Sequence, residues 1–354
     1  MPLNLSRRGF IAATAAGVAS GQALADAPAL RSRFALLYAE AAKEGRVVYY
    51  GNTRTEETRA LSLFWRRNFP DVQLTILSRS APQLVTQVEA EKSAGVVNAD
   101  VVSISELPVT VQWRQRGWLA PYKVAAAAQI GSYSTPDGAY YVTGVYLLPP
   151  AYNTTVFPNK AGLPKSLNDF LNPAWQGKLV IADPRTAGNS LTFFQGLMQL
   201  GKIDWTWIDA LGRQNVMFVS GNPETARIVA SGERPLAPIV STLNTLTAKQ
   251  QGQAIDFFTV TEGTVVAERP SFILSNAPHP NAAKLLMEVL TSAEGQQALA
   301  GAGMFWPTNS ACGSVNGLPV LAALNPLRVN LEAISSPAKT EAFLSRFDQA
   351  FGRS

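Results

Sequence analysis

A strand, a polar loop and a helix follow one another repeatedly along most of this chain. Short β-forming runs cover residues 46–50, 72–77 and 100–104, and a second series begins with runs at 178–182 and 216–219. Such a repeat predicts parallel sheets covered by helices, the α/β class. Because 354 residues exceed one ordinary domain, we expect two lobes.

The first 25 residues have the features of an export signal. Arg7 and Arg8 precede a short apolar run over 11–19, and a small-residue cleavage motif follows at 23–25. A membrane-spanning helix needs about 20 apolar residues, so we predict a cleaved signal peptide over 1–25 rather than an anchor. The paired arginines favour the twin-arginine type. We therefore expect a periplasmic protein.

Two residue types that dominate enzyme and metal sites are almost missing from the sequence. Cys312 and His279 are the only Cys and His, which excludes an internal disulfide and makes a Cys/His zinc site implausible. A Ser-His or Cys-His catalytic pair would need His279, but the start of a helix explains this residue better, because an amphipathic run follows at 282–290. We predict no catalytic residue, no metal site and no cofactor.

The charge of the chain is mildly basic. The formal net charge is +5, and it falls to +3 when Arg7 and Arg8 leave with the signal peptide. Because the remaining Lys and Arg are scattered, we do not expect nucleic acid as a partner.

Two β-rich stretches lie outside the two series of strands. The first, at 140–153, contains Pro149 and Pro150, which argue against one continuous central strand. The second, at 264–274, is a return stretch that comes after the second series of strands. We interpret the first as a place where the chain passes between lobes.

The loops after the predicted strands are the candidate binding site. In an open α/β sheet such loops share one edge, and the helix N-termini beyond them attract anions. Arg79 and Arg185 could hold a carboxylate or phosphate with two parallel bonds, although a surface ion pair is the alternative for each. Asp183 would either brace Arg185 or bind a ligand amine. The predicted ligand-binding residues are Asn52, Thr53, Ser78, Arg79, Ser80, Ser105, Asp183, Arg185, Thr186, Asn189, Ser190, Ser241 and Asn244.

Several segments have sequences typical of one protein family. They lie at 47–51, 98–102 and 177–184, and as a pair at 278–284 and 292–296, where a helix, a short gap and a small-Glu-Gly-Gln start follow one another. With these segments the chain resembles the periplasmic substrate-binding proteins of ABC importers. The resemblance is to the group that includes ferric-iron, thiamine, phosphonate and sugar-phosphate binders.

The resemblance implies a type II periplasmic binding protein fold, in which two α/β lobes joined by a two-segment hinge close on a ligand. It implies a soluble monomer that catalyses nothing and docks on an ABC permease in the inner membrane. The implied boundaries are the signal peptide at 1–25, lobe 1 at 26–148 and 270–354, and lobe 2 at 149–269.

The resemblance also bears on the ligand. Iron-binding relatives hold the metal with two adjacent tyrosines in the second lobe, whereas the corresponding stretch here, 241–245, contains no tyrosine. We therefore predict a small organic anion: a phosphonate, a sugar phosphate or a carboxylate. The alternatives are a ferric-iron binding protein of the same family and a periplasmic enzyme exported in the folded state.

Overall fold

The computed structural model describes residues 27–334 and 336–353. The predicted twin-arginine signal peptide over 1–25 therefore lies outside the described residues. Within the described residues, no helix is both long and apolar enough to cross a membrane.

Strands and helices alternate along the chain. The strands are β1 (Arg46–Gly51), β2 (Gln73–Ser78), β3 (Val101–Ser103), β4 (Leu119–Ala120), β5 (Tyr141–Leu147), β6 (Ala151–Asn153), β7 (Val180–Ala182), β8 (Met217–Val219), β9 (Leu236–Ala237), β10 (Ile255–Phe257), β11 (Thr264–Leu274) and β12 (Pro326–Leu327). The helices are α1 (Ala27–Arg33), α2 (Ala35–Glu44), α3 (Thr55–Asn68), α4 (Ala81–Ser93), α5 (Leu107–Gln115), α6 (Ala127–Ile130), α7 (Gly188–Gln199), α8 (Trp205–Gly212), α9 (Asn222–Ser231), α10 (Thr242–Gln250), α11 (Pro280–Thr291), α12 (Ala293–Gly303), α13 (Leu331–Ile334) and α14 (Pro337–Ala350).

The first sheet, which defines lobe 1, has β1 at the middle of three parallel strands. Gly51, the last residue of β1, lies beside Ser78 of β2 and Ser103 of β3. β11 runs antiparallel between β3 and β5 and also pairs with β4 and β12. The carboxyl ends of β1, β2 and β3 therefore share one edge of this sheet.

Helices cover both faces of the lobe 1 sheet, because neighbouring strand residues point to opposite sides. Tyr49 of β1 packs in a core with residues of α2, α3 and α11. Tyr50, the next residue, packs on the other face with residues of α4 and α5. Both adjacent tyrosines are buried in these cores.

The second sheet defines lobe 2. β6 pairs with β9 and β10, β7 pairs in parallel with β8, and a bridge between Leu179 and Leu236 joins the two groups. Ile181 of β7 packs with α7 and α8 on one face, and its neighbour Val180 packs with α9 and α10 on the other. Each lobe is therefore a sheet between two layers of helices.

The two lobes are connected at the predicted prolines. Pro149 and Pro150 separate β5 from β6, and their carbonyls accept hydrogen bonds from Val240 N–H at 2.9 Å and Phe258 N–H at 3.1 Å. Leu148 N–H donates to the carbonyl of Val265 in β11 at 2.9 Å. The crossing segments thus support each other through backbone hydrogen bonds.

The C-terminal helix differs from the predicted boundaries, which assign all of 270–354 to lobe 1. α11 and α12 do pack on lobe 1, but Phe343, Leu344 and Phe347 of α14 are buried in the lobe 2 core. Phe347 stacks against Phe194 of α7, with ring centroids 5.0 Å apart. The reason is the apolar face of α14, which finds its aromatic partners on α7 and α8. The other boundaries stay predictions.

Candidate functional site

Four predicted residues come together at the edge of lobe 1 where β1, β2 and β3 end. The amide of Asn52 donates to the hydroxyl of Ser105 at 3.1 Å, and the hydroxyl of Ser78 donates to the carbonyl of Thr53 at 2.7 Å. The side-chain oxygen of Asn52 is buried and has no hydrogen-bond partner among the described residues. This edge therefore presents hydroxyl and amide groups with unused capacity.

The other two predicted residues of lobe 1 lie further out. Arg79 and Ser80 are both exposed. The side-chain oxygen of Gln83 accepts from Ser80 N–H at 3.2 Å and from the Ser80 hydroxyl at 2.9 Å. Ser80 thus contributes to the start of α4, the role that any helix-start residue has by default.

In lobe 2, Arg185 makes the ion pair that we considered as its alternative role. Its Nε donates to a carboxylate oxygen of Asp348 at 2.5 Å, and a second guanidinium nitrogen lies 3.5 Å from Glu341. Hydrogen bonds from Asp348 and Glu341 raise the pKa of Arg185. The charge of Arg185 is therefore paired with two acids of α14. The sequence pattern does not predict that α14 lies beside this loop.

Asp183 belongs to the same ion-pair group. Its carboxylate accepts from Arg353 at 2.8 Å and from the backbone N–H of Arg185 at 2.9 Å. Arg353 also contacts Asp348 and stacks on Phe218, with its guanidinium carbon 4.0 Å from the ring centre. Asp183 thus braces the backbone of Arg185 and pairs with a different arginine.

The remaining predicted residues of lobe 2 lie where α7 and α10 begin. The hydroxyl of Thr186 donates to the carbonyl of Ser220 at 2.9 Å, which joins the loops after β7 and β8. Ser190 is buried, and its hydroxyl has no partner among the described residues, while Asn189 is half-buried. Ser241 is buried and Asn244 is half-buried.

Three helices of lobe 2 begin without a capping side chain. α7, α9 and α10 follow β7, β8 and β9, and their N-cap residues Ala187, Gly221 and Ser241 make no side-chain cap hydrogen bond. By contrast, Asp204 caps α8 and Ser336 caps α14. The first N–H groups of a helix need acceptors from outside it, so these three helix starts leave donors at the lobe 2 edge.

The uncapped starts are held close together. The side-chain oxygen of Asn222, at the start of α9, accepts from Ser241 N–H at 2.9 Å, which fixes α9 beside α10. One acid shares this edge, since the carboxylate of Glu224 accepts from Ser220 N–H at 3.1 Å. The N–H groups of Gly188 and Asn189 donate no hydrogen bond within the parts of the chain that the structure describes.

One residue outside the predicted set links the two edges. Arg54 follows Thr53, and its Nη1 donates to the hydroxyl of Thr247 on α10 of lobe 2 at 3.0 Å. Thr53 has capping-box spacing with Glu56, but α3 begins at Thr55, so the position before the helix belongs to Arg54. The sequence feature that could have identified Arg54 is its position as a basic residue directly after Thr53, in a predicted binding loop.

A second missed residue is Glu106, which follows Ser105 at the lobe 1 edge. Burial raises the pKa of its carboxyl group. No hydrogen bond or ion pair joins this carboxyl group to another described residue. A carboxyl group in this position could receive the cationic part of a ligand.

Metal ions in proteins are commonly held by groups of His, Cys, Asp or Glu side chains. Among the described residues, no three His, Cys, Asp or Glu side chains are grouped so that they could hold a metal ion. Tyr50 donates to Glu91 at 3.0 Å, and its ring packs with residues of α4 and α5.

Comparison with known proteins agrees with this architecture. The family of bacterial extracellular solute-binding proteins matches residues 98–329. HitA from Pseudomonas aeruginosa, solved with iron bound, is 20% identical, with a TM-score of 0.68 over 86% of this chain and 99% of its own. AfuA from Actinobacillus pleuropneumoniae, solved with fructose-6-phosphate, is 22% identical, with a TM-score of 0.67 over 88% of this chain and 99% of its own.

A third solved structure is similar to the same extent. Ferric iron-binding protein A from Mannheimia haemolytica, in an open conformation, is 14% identical, with a TM-score of 0.69 over 88% of this chain and 99% of its own. No curated protein matches the chain. At these low identities the structural similarity shows the fold alone, which is the predicted two-lobed type II periplasmic binding protein fold.

The chain belongs to the bacterial extracellular solute-binding protein family. This membership confirms the resemblance seen in the sequence and the periplasmic location. The family consists of binding proteins of ABC importers, which deliver small ligands to a permease and are not enzymes.

Proposed function

We propose that this protein captures a small organic anion between the edges of its two lobes and delivers it to an ABC permease. The observation that carries the proposal is the set of uncapped helix starts at α7, α9 and α10. Each helix N-terminus adds unpaired N–H donors and a partial positive charge, worth about 0.3–1 kcal/mol toward an anion at an exposed position.

Hydroxyl and amide groups of lobe 1 would complete the site. Asn52, Thr53, Ser78 and Ser105 lie together at their sheet edge, and the Asn52 oxygen lacks a partner. Such groups suit the hydroxyls of a sugar phosphate or the protonated oxygen of a phosphonate. The solved structure of AfuA with fructose-6-phosphate supports a phosphorylated sugar as one member of the class.

Ferric iron stays as a second candidate, because HitA was solved with iron bound. Against it stands the sequence 241–245, which has no tyrosine where iron-binding relatives carry their pair. A ligand screen separates these candidates directly.

The first experiment is thermal unfolding of the mature protein with phosphonates, sugar phosphates, small carboxylates, thiamine and ferric iron. A ligand at about 100 times its dissociation constant adds roughly 2.7 kcal/mol, which raises the midpoint by a few degrees. We expect a shift with one anion class. A shift with iron alone would establish the second candidate and reject the anion, and chemical conversion of a bound compound would indicate the enzyme alternative.

A pair of variants at Gly188 then tests the helix start itself. Gly188 is the first residue of α7, and a Cβ added there meets no atom within 4 Å. Gly188→Pro removes one N–H but is compatible with a first helical position, and Ala187 already has the extended conformation that a residue before proline needs. Gly188→Ala is the matched control, because it keeps the N–H.

We expect Gly188→Pro to weaken binding of the anion identified in the screen by about 1.5–3 kcal/mol, the range for a hydrogen bond to a charged group. Gly188→Ala should bind like the parent protein. Isothermal titration of both variants gives the answer, and equal affinities would remove the start of α7 from the site.

A further inference from the structure

Helix α10 belongs to lobe 2 but packs against lobe 1. Leu243 lies against the lobe 1 core that contains Tyr49 and Phe305. Leu246, one turn later, lies against the cluster around Trp306. α10 is therefore one of the helices through which lobe 2 contacts lobe 1, and a change in the angle between the lobes would alter this contact.

The hydroxyl of Thr247 on α10 has a fixed orientation. It donates to the carbonyl of Leu243, one turn earlier in the helix, at 2.6 Å. A hydroxyl has one proton, so its oxygen is left to accept the bond from Arg54 Nη1 at 3.0 Å. The same guanidinium nitrogen lies 3.0 Å from the sulfur of Met304. Arg54 is thus held between a residue of lobe 2 and a second residue of lobe 1.

Met304 has an unusual backbone at this contact. Its φ of 54° and ψ of 40° place it in the left-handed region, just after the end of α12. Non-glycine residues in this region cost on the order of 1 kcal/mol or more and persist where the surroundings hold them. Here the surroundings are Arg54, Thr247 and the buried ring of Phe305.

The contact lies beside a crevice rather than inside a filled interface. A cavity of about 280 Å³ separates α10 from lobe 1. Its walls include Leu246 and Lys249 on one side and Ala300, Met304 and Leu318 on the other. Because the packing here is incomplete, the hydrogen bond from Arg54 adds a polar contact between the lobes beside the apolar contacts of Leu243 and Leu246.

We propose that Arg54, Thr247 and Met304 form a latch that holds the two lobes together in the absence of ligand. The guanidinium of Arg54 on lobe 1 donates to the hydroxyl of Thr247 on lobe 2, whose orientation is fixed by its own bond within α10. The left-handed backbone at Met304 places the sulfur beside the same guanidinium. The latch sets how far the lobes separate at rest. It does not depend on which ligand the protein carries.

The test measures the distance between the lobes without ligand. Lys43 on α2 and Lys202 after α7 are exposed, so spin labels at K43C and K202C report on lobe 1 and lobe 2, with Cys312→Ser removing the native thiol. Thr247→Val keeps the shape of the side chain and removes the acceptor. Pulsed dipolar spectroscopy should show a ratio of separated to joined lobes that is roughly tenfold higher, as expected for one lost hydrogen bond to a charged group.

Thr86→Val is the matched control. Thr86 is also helical and donates to the carbonyl four residues earlier, at 3.1 Å in α4, but it lies outside the contact between lobes. Arg54→Gln should reproduce the change seen with Thr247→Val, and the double variant should add nothing further. Unchanged distances in Thr247→Val and Arg54→Gln would overturn the latch, and so would an equal change in Thr86→Val. Because no ligand is present, these outcomes are independent of the proposed function.

Discussion

Glu57 and Arg269 form the most deeply buried ion pair among the described residues. Their charged atoms are 2.8 Å apart, and both side chains are at most 3% exposed. Burial is the largest single influence and works against the charge of Arg269, but Glu57 together with Tyr146 and Tyr49 outweighs it, so the pKa of Arg269 is raised and the guanidinium stays charged. The guanidinium also stacks on Phe305, 4.5 Å from the ring centre. This pair joins α3 to the long strand β11 next to the latch.

Removing one member of this pair should cost much stability. Glu57→Gln leaves Arg269 buried without a counter-charge, for which the expected loss is about 3–5 kcal/mol in the free energy of unfolding. Glu56→Gln, at the neighbouring exposed position, breaks only a surface ion pair with Arg54 and should cost no more than about 1 kcal/mol. Urea denaturation measures both, and similar values for the two variants would show that the pair contributes little.

At the scale of elements, α14 is attached to the loop after β7 by shared charges. Asp348 accepts from Arg185 and from Arg353, and Arg353 in turn holds Asp183. Although partial burial works in the opposite direction, these arginines hold the pKa of Asp348 below its usual value. One carboxylate thus connects the last helix to the loop from which α7 begins.

We expect Asp348→Asn to loosen this attachment. Amide hydrogens in α14 and in residues 183–187 should exchange roughly fivefold faster, which corresponds to about 1 kcal/mol for a partly exposed ion pair. Asp209→Asn is the matched control, because it breaks a 2.7 Å pair between α8 and Arg346 on the same helix. Equal exchange rates in the two variants would contradict the attachment.

The elements themselves could be predicted well from local patterns. The stretch 264–274 is β11 with the same bounds, and the alternation expected of any strand places Tyr49 and Tyr50 of β1 on opposite faces. The grouping of Asn52, Ser78 and Ser105 followed from parallel pairing alone.

Local sequence patterns could not predict the partners of the charged residues. The pairing of Arg185 with Asp348 requires α14 to lie on lobe 2, and its apolar face fits either lobe as far as the sequence shows. Likewise, the bond between Arg54 and Thr247 joins residues that no periodicity relates. The sequence motifs describe single segments, whereas these contacts depend on how segments are arranged in space.

At the scale of the whole molecule, a buried tyrosine makes the stability of the folded state depend on pH in the alkaline range. Burial, assisted by the neighbouring Glu91, raises the pKa of Tyr50 from 10 to about 12. The folded state therefore binds this proton more tightly than the unfolded state. The stabilising contribution of Tyr50 is complete below pH 10 and is lost as the pH rises through 12.

We expect the free energy of unfolding to fall between pH 10 and 12, and Tyr50→Phe to make this fall shallower. The phenol of Tyr50 is the titrating group that the substitution removes, while its ring stays in the core. Chemical denaturation at pH 9, 10, 11 and 12 compares the two slopes. Parallel slopes would mean that Tyr50 titrates alike in both states.

The position of β11 also affects the order in which the two lobes can fold during synthesis. β11 fills the place between β3 and β5, yet the chain forms all the strands of lobe 2 before it reaches Thr264. During synthesis the edges of β3 and β5 stay open until β11 emerges, while residues 149–257 already contain every strand of the second sheet. The sheet of lobe 2 can thus form before lobe 1 closes around its returning strand, and α14 completes the lobe 2 core after both.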